Sequence, residues 1–508
     1  MALIFCDGFD KYGGVNTNAT NVSALMQQGE WTAVSTSVNS TIVAGLSSTG
    51  FAYSTAQSVT SSKTLAASYA RLIGGVRFSS TLGSVAGGIQ FYDAGTAQCA
   101  ITFNSAGTFS VRNGTYNGGT VLGTSTASVT ANSIHYLEWD ITFSNAGAYQ
   151  LWLDGVSILS GSGDTTATAN NSANQFGLAS ASGSGPTIAW DDLYLFDSTG
   201  TVNNAVLLTS PRVETSFPAS DSAVQFGFGA ATLGSSVSRV VGGYSASANI
   251  LYLRPVTPIR NCTLSSITLL PGATTASINL RPVIYADNAG SPSGGALLSA
   301  GSTVTGMTSG TFLTMPLTTP QSLTAGTQYW IGLMNDVVTG ANGYATQDAS
   351  NAARTVVSTF TSGAPSICPG SMTTGVLTVV VYGNVTSVGA NYYEVASVPV
   401  QGLQSYLTDT TVNDEDLYNF GALSQMPTTI NAVAVKANCS RSDTGARTVS
   451  MRMKSGSTDS GGSATGQTPN ASGSFGWLTS LFITDPNTSA AWTGTALNAA
   501  QSGFKIDS

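Results

Sequence analysis

Glu138 and Asp140, in the run YLEWDITF (136–143), are the acidic side chains spaced most like a working pair. Hydrolysis of a glycosidic bond asks only for two carboxyl groups, one as acid and the other as base or nucleophile. Strand alternation puts both on one face, opposite Leu137, Trp139, Ile141 and Phe143. By sending Trp139 to the core, the same alternation predicts an ordinary solvated face for Glu138 and Asp140. Nucleophilic catalysis with a general base normally recruits histidine, and the chain has one, His135. No serine or cysteine elbow accompanies it, so the expectation is a partly exposed strand-edge residue and no triad. A single histidine among scattered carboxylates supplies no zinc constellation either.

LIFCDGFDKYGG (3–14) raises a different chemistry, with Asp7 and Asp10 flanking an aromatic residue and Cys6 beside them. An oxygen-only cluster would suit calcium, although no EF-hand-like run of carboxylates is present. The five cysteines (Cys6, Cys99, Cys262, Cys368, Cys439) are far apart and show no CxxC spacing. Buried free thiols are expected, with Cys262 and Cys368 able to pair because they fall in one candidate domain. ASGSGP (181–186) and GGSATG (461–466) lack Gly-Lys-Ser/Thr and open no helix, so they are turns and not phosphate loops. Trp31, Trp330, Tyr392, Tyr393, Trp477 and Trp492 could stack on sugars, but a tryptophan in a β protein usually packs a core. No cofactor is expected.

The elements that must position these groups are strands. Charged residues make up only 8% of the 508, against about 25% in an average soluble chain, and Ser, Thr, Gly, Ala and Asn replace them. Helical surfaces usually carry Glu, Lys and Arg, whereas short strands with small-residue turns do not need them. Seven Trp, 18 Tyr and 19 Phe argue against disorder. The 17 Lys and Arg form no basic run, so no nucleic-acid surface is expected, and no stretch approaches the ~18 apolar residues of a membrane span. YQLWLDGVSIL (149–159) holds two strands around Asp154-Gly155, a strong hairpin signal, and IAWDDLYLF (188–196) closes the first block. In TVSMRMKSG (448–456), Val449, Met451 and Met453 share one face, and a short helix is expected around ALNAAQ (496–501).

The order FCDGFD, GEW (29–31), LEWDITF, YQLWLDG, WDDLYLF over residues 1–200 resembles the concanavalin-A/laminin-G-type jelly-roll, frequent in structural proteins of tailed bacteriophages. The resemblance implies that the first and last strands lie side by side. Phe9, Trp190, Leu193 and Leu195 would then face the core, and Asp7, Asp10, Asp191 and Asp192 would accept turn amides at the rim. A rim calcium near Asp7, Asp10 and Asp192 is the rival. Jelly-rolls also host glycanases, but their ExDxE signature is absent, since the run here is Glu138-Trp139-Asp140-Ile141-Thr142. The strand GTQYWIG (326–332) is similar in style to carbohydrate-binding modules, without assigning a ligand. The series DLYNF, INAVAVKANCSRSDTGART and FITDPNTSAAWTGTALNAAQSGFKI resembles the C-terminal module of phage tail-type proteins, which follows a PRVETxxP segment. Here PRVETSFPASDSAVQF ends at Phe226 and TSVGANYYEVAS resumes at Thr386, implying an insertion.

The expectation is therefore all-β: serial antiparallel β-sandwiches, a jelly-roll at 1–205, a discontinuous C-terminal module at 206–237 plus 386–508, and an inserted sandwich at 238–385. The function implied is a non-enzymatic structural protein of a tailed-phage virion, an exterior appendage, fibre or decoration contributing to host-surface glycan attachment. Alternatives are a dedicated receptor-binding adhesin and a polysaccharide depolymerase. Partners would be other virion proteins and further copies of the chain, a trimer first. With no basic stretch leading an apolar one at the N-terminus, the location expected is the virion exterior after synthesis in the host cytoplasm.

Overall fold

A computed structural model of the chain describes residues 3–27, 30–47, 50–84, 86–183, 185–199, 202–228, 230–233, 242–258, 261–339, 343–387, 407–423, 425–471 and 474–508. It is all-β, in several antiparallel sheets. The described residues fall into two compact units: those up to Val224 together with those from Thr410 to Ser508, and those between Gln225 and Asp409. Among the described residues no helix is long and apolar enough to cross a membrane.

In the first unit, one sheet runs in the spatial order Val156–Gly163, Gly147–Leu153, Ile134–Thr142, Arg71–Ser80, Ile188–Phe196, Phe51–Thr55, Ser40–Ala44. The first strand, Leu3–Asp7, adds to Ile188–Phe196 with Phe5 opposite Leu195 and Asp7 opposite Leu193. A second sheet contains Val59–Tyr69, Ala173–Ser180, Gly87–Asp93, Thr96–Phe103, Thr108–Asn113 and Thr120–Ser128. Leu137, Trp139, Ile141 and Phe143 are buried between the sheets with Phe9, Trp190, Leu193 and Leu195. The hairpin turn is built as its residues require, with Asp154 at φ 51° and Gly155 at φ 81°. Gly74 and Gly75 lie where the sheet is most crowded: a Cβ on Gly74 would meet Trp139 on the inner face. One on Gly75 would meet Tyr194, Tyr136 and Glu138 on the outer face.

Composition gave no sign of the helix Ala19–Gln27, which buries Val22 and Met26 beside Trp31. Asn18 starts it, its side chain accepting from the Asn21 amide at 3.2 Å.

The same unit holds a five-stranded sheet in the order Pro218–Ala223, Glu415–Phe420, Gln501–Ile506, Val449–Ser455, Thr458–Ser460, and a two-stranded ribbon, Val433–Cys439 with Gly476–Phe482. Met451 and Met453 are buried with Phe482 and Trp492. Helix Gly494–Ala499 starts two residues earlier than the ALNAAQ run, because Thr493 caps it by accepting from the Ala496 amide.

The second unit has one sheet of Ala230–Leu233, Val381–Ser387, Cys262–Leu269 and Leu313–Leu323, and another centred on Tyr344–Val357, Ile250–Val256, Tyr329–Asn335 and Thr275–Ala286. Leu264, Ile267, Ile284 and Ile331 fill the space between. Cys262 and Cys368 do not pair, and all five thiols are free. Cys6 and Cys439 are half-buried and not fully enclosed as expected.

Candidate functional site

Glu138 departs from its expected solvated face. It is 1% exposed, and its carboxylate accepts from the Leu207 amide at 2.8 Å, the Leu208 amide at 3.0 and 3.1 Å, and the Tyr194 hydroxyl at 2.5 Å. The segment after the last jelly-roll strand folds back over the outer face, and Val206 and Leu207 pack on Tyr136, Tyr194 and Phe196. Alternation fixed which face Glu138 occupies; it could not reveal that chain 69 residues away would cover that face. Burial and the adjacent Glu138 charge push the Tyr194 phenol far up. Asp140 keeps partial exposure in a bidentate pair with Arg71 at 2.7 and 2.5 Å. Neither carboxylate is left facing an open cleft as a general acid or nucleophile would be.

His135, expected as a partly exposed strand-edge residue, is partly exposed on its strand and has two side-chain neighbours. Ser133 Oγ lies 2.8 Å from His135 Nε2, and Asp154 Oδ2 lies 2.7 Å from Nδ1. The hairpin delivers Asp154, whose other oxygen accepts from the Tyr136 amide at 2.8 Å. Three residues are thus in line as in a hydrolase triad. The Thr130 carbonyl, however, also lies within hydrogen-bond reach of Ser133 Oγ and competes with His135 Nε2 for its one proton. The chain of contacts ties a turn to a hairpin.

Of the four aspartates expected to take turn amides at the rim, Asp7 accepts one such amide and three side-chain donors. It is 2% exposed and accepts from the Phe9 amide (2.9 Å), Lys11 (3.1 Å), Tyr12 (2.7 Å) and Trp31 Nε1 (2.9 Å). The other three take amides as turn acceptors do. Asp10 accepts from Phe51 at 2.8 Å and from Thr215; burial pushes it up to about 6. Asp191 accepts from the Leu46 and Asp192 amides, each at 2.8 Å; burial and the Asp192 charge push it up to about 7. Asp192 binds Arg77 at 2.7 Å and the Val213 amide at 2.8 Å. Glu138, Asp192 and Asp10 therefore pin successive points of the strap Val206–Thr215. Among the described residues no group of three or more metal-ligating side chains comes together.

A concavity in this unit lies between the first strand and the ribbon of the C-terminal module. It measures about 120 Å³, and Phe5, Cys6, Glu30, Lys63, Lys436 and Trp477 are among its walls. Lys436 reaches from Val433–Cys439 to Glu30 at 2.6 Å and to the Cys6 carbonyl at 3.1 Å, while Lys11 closes on the other Glu30 oxygen. Burial alone would raise the Glu30 carboxyl, but the two ammonium groups hold it down at about 2. Lys436 is raised because Glu30, Cys6 and Asp7 outweigh its burial. Burial pushes the Cys6 thiol up, which makes it a poor nucleophile.

The aromatic candidates divide accordingly. Trp31, Trp330 and Trp492 are buried, their indole N–H groups donating to Asp7, Asp287 (2.7 Å) and the Phe482 carbonyl (3.0 Å). Trp477 is half-buried at the cleft. Tyr392 and Tyr393 lie outside the described residues.

No family model and no curated protein matches the chain. Among solved structures it is similar to the alginate lyase Aly36B, at 13% identity over 38% of this chain and 95% of that one, with a TM-score of 0.28. It is also similar to the endo-β-1,4-glucuronan lyase of the fungus Trichoderma reesei (13%, 33% and 94%, TM-score 0.26). A third is the carbohydrate-binding module CBM66 of Bacillus subtilis (14%, 33% and 96%, TM-score 0.25).

Proposed function

We propose that the chain is a non-enzymatic structural part of the exterior of a tailed-phage particle, an appendage, fibre or decoration that contributes to attachment to host-surface glycans. The observation that carries the reading is how the acidic groups are used. Glu138, Asp192 and Asp10 hold the strap that leaves the jelly-roll, and Glu30 holds Lys436 of the C-terminal module. Groups that an enzyme would present to substrate here fasten one sandwich to another. A stack fastened in this way transmits force and spaces loops, which a particle surface needs. The motif order seen in the sequence supports the phage assignment, and repeated weak glycan sites on a homo-oligomer, a trimer first, would supply avidity.

Imaging of intact particles at subunit resolution tests the reading. It expects density for the jelly-roll and C-terminal module together on the outer surface. Absence of the chain from purified particles would overturn it.

A further inference from the structure

Lys63, Lys436 and Glu30 line the cleft, and Lys11 and Asp7 act on Lys63 electrostatically, three cations against two anions. Lys11 and Lys436 are committed to the carboxylates. Lys63 has no ion pair among the described residues, and its ammonium lies over the Phe5 ring, 5.4 Å from the centroid. An ammonium kept half-buried without a counter-ion is costly, and here the surplus positive charge lines a cavity. Burial lowers the Lys63 ammonium, with Glu30 opposing and Lys436 and Lys11 reinforcing the fall. Trp477, half-buried, lines the same cavity and adds a flat apolar surface to it. A volume of about 120 Å³ is that of roughly four waters, room for a carboxylate and the edge of a ring whose remainder stays in the open mouth.

We propose that this cleft binds an acidic sugar residue, with Lys63 as counter-ion to its carboxylate and Trp477 as the face against which its ring lies. The inference rests on the glycan-attachment reading and narrows it to uronic or sialic acids. Charge and stacking together explain what a simple anion hole would not, an aromatic wall in the same cavity as the lone cation.

Ligand-observed saturation-transfer NMR on the full chain tests it, with methyl glucuronide and N-acetylneuraminate as probes, methyl galactoside as neutral control and sodium sulfate as competitor. The acidic sugars are expected to show transfer and the neutral one none, with sulfate a poor competitor. Lys63→Met should weaken binding about tenfold or more, and Lys63→Arg should retain most of it. Ala434→Trp, which fills the cleft without touching its charges, should abolish transfer. Equal binding of the neutral sugar, no binding of either acid, full competition by sulfate, or indifference to both Lys63→Met and Ala434→Trp would each overturn the proposal. A glycan array run in parallel separates the two readings. If the wild-type chain binds the array and Lys63→Met binds it equally, attachment stands and the cleft is not its site. If the wild-type chain binds nothing, glycan attachment itself fails.

Discussion

Glu138 shows how one side chain can carry the features of a catalytic acid and serve as a clamp. Its four short contacts come from donors fixed by the fold, two backbone amides among them, and a buried carboxylate so satisfied is worth more as an anchor than as a proton carrier. Glu138→Gln turns one acceptor oxygen into a donor, which faces the Leu208 amide in either orientation because that amide contacts both oxygens. It should cost about 1–3 kcal/mol, measured by urea unfolding. At Ser133, alanine should leave hydrolysis of p-nitrophenyl acetate at the wild-type level, since the Thr130 carbonyl competes with His135 for that hydroxyl's proton. Asp191 offers a pH test. Its carboxyl is raised to about 7, so the native state holds a proton that the unfolded chain releases near its ordinary value. The stabilisation is therefore complete below about pH 4 and is lost as pH rises through about 7. Asp191→Asn should flatten that fall, at a pH-independent cost because its amide nitrogen faces the Leu46 or the Asp192 amide, both read from melting curves across that range. Of these residues, only the face each occupies was legible in the sequence. Their partners were not, because Leu207 for Glu138 and Leu46 for Asp191 are 69 and 145 positions away.

At the scale of elements, strands were far more legible than connections. Alternation in YLEWDITF and the Asp154-Gly155 turn specify their hairpin locally, so neighbours in sequence suffice to read it. The helix Ala19–Gln27 was illegible because ATNVSALMQ carries no charged face, only Val22, Leu25 and Met26, which tertiary packing rewards. Pairing of Pro218–Ala223 with Glu415–Phe420, across nearly two hundred residues, leaves no local signal beyond the interrupted order of motifs. The ribbon Val433–Cys439 with Gly476–Phe482 joins strands that are not neighbours in the chain, and its Lys436 enters the buried cluster of Glu30, Lys11 and Asp7. Removing one partner of such a cluster leaves a buried charge uncompensated. Lys436→Met should destabilise the unit by about 3–5 kcal/mol, and Glu30→Gln added to it should restore part of the loss. Scanning calorimetry checks this, with the jelly-roll and C-terminal transitions separating in the single variant.

Across the whole molecule, the fold class followed from composition alone: few charges, many small polar residues and evenly spread aromatics leave stacked β-sheets as the economical solution. What composition does not convey is how carboxylates are used, and the functional reading turns on that. Under the proposed function, fastened sandwiches with a charged, aromatic-walled cleft would hold polysaccharide without cutting it. Incubating the purified chain with host capsular polysaccharide, and following both retention on the protein and the appearance of new chain ends, tests this most directly. Retention with no new reducing ends and no unsaturated uronate absorbance is predicted. Fresh chain ends that vanish in Glu138→Gln would contradict it.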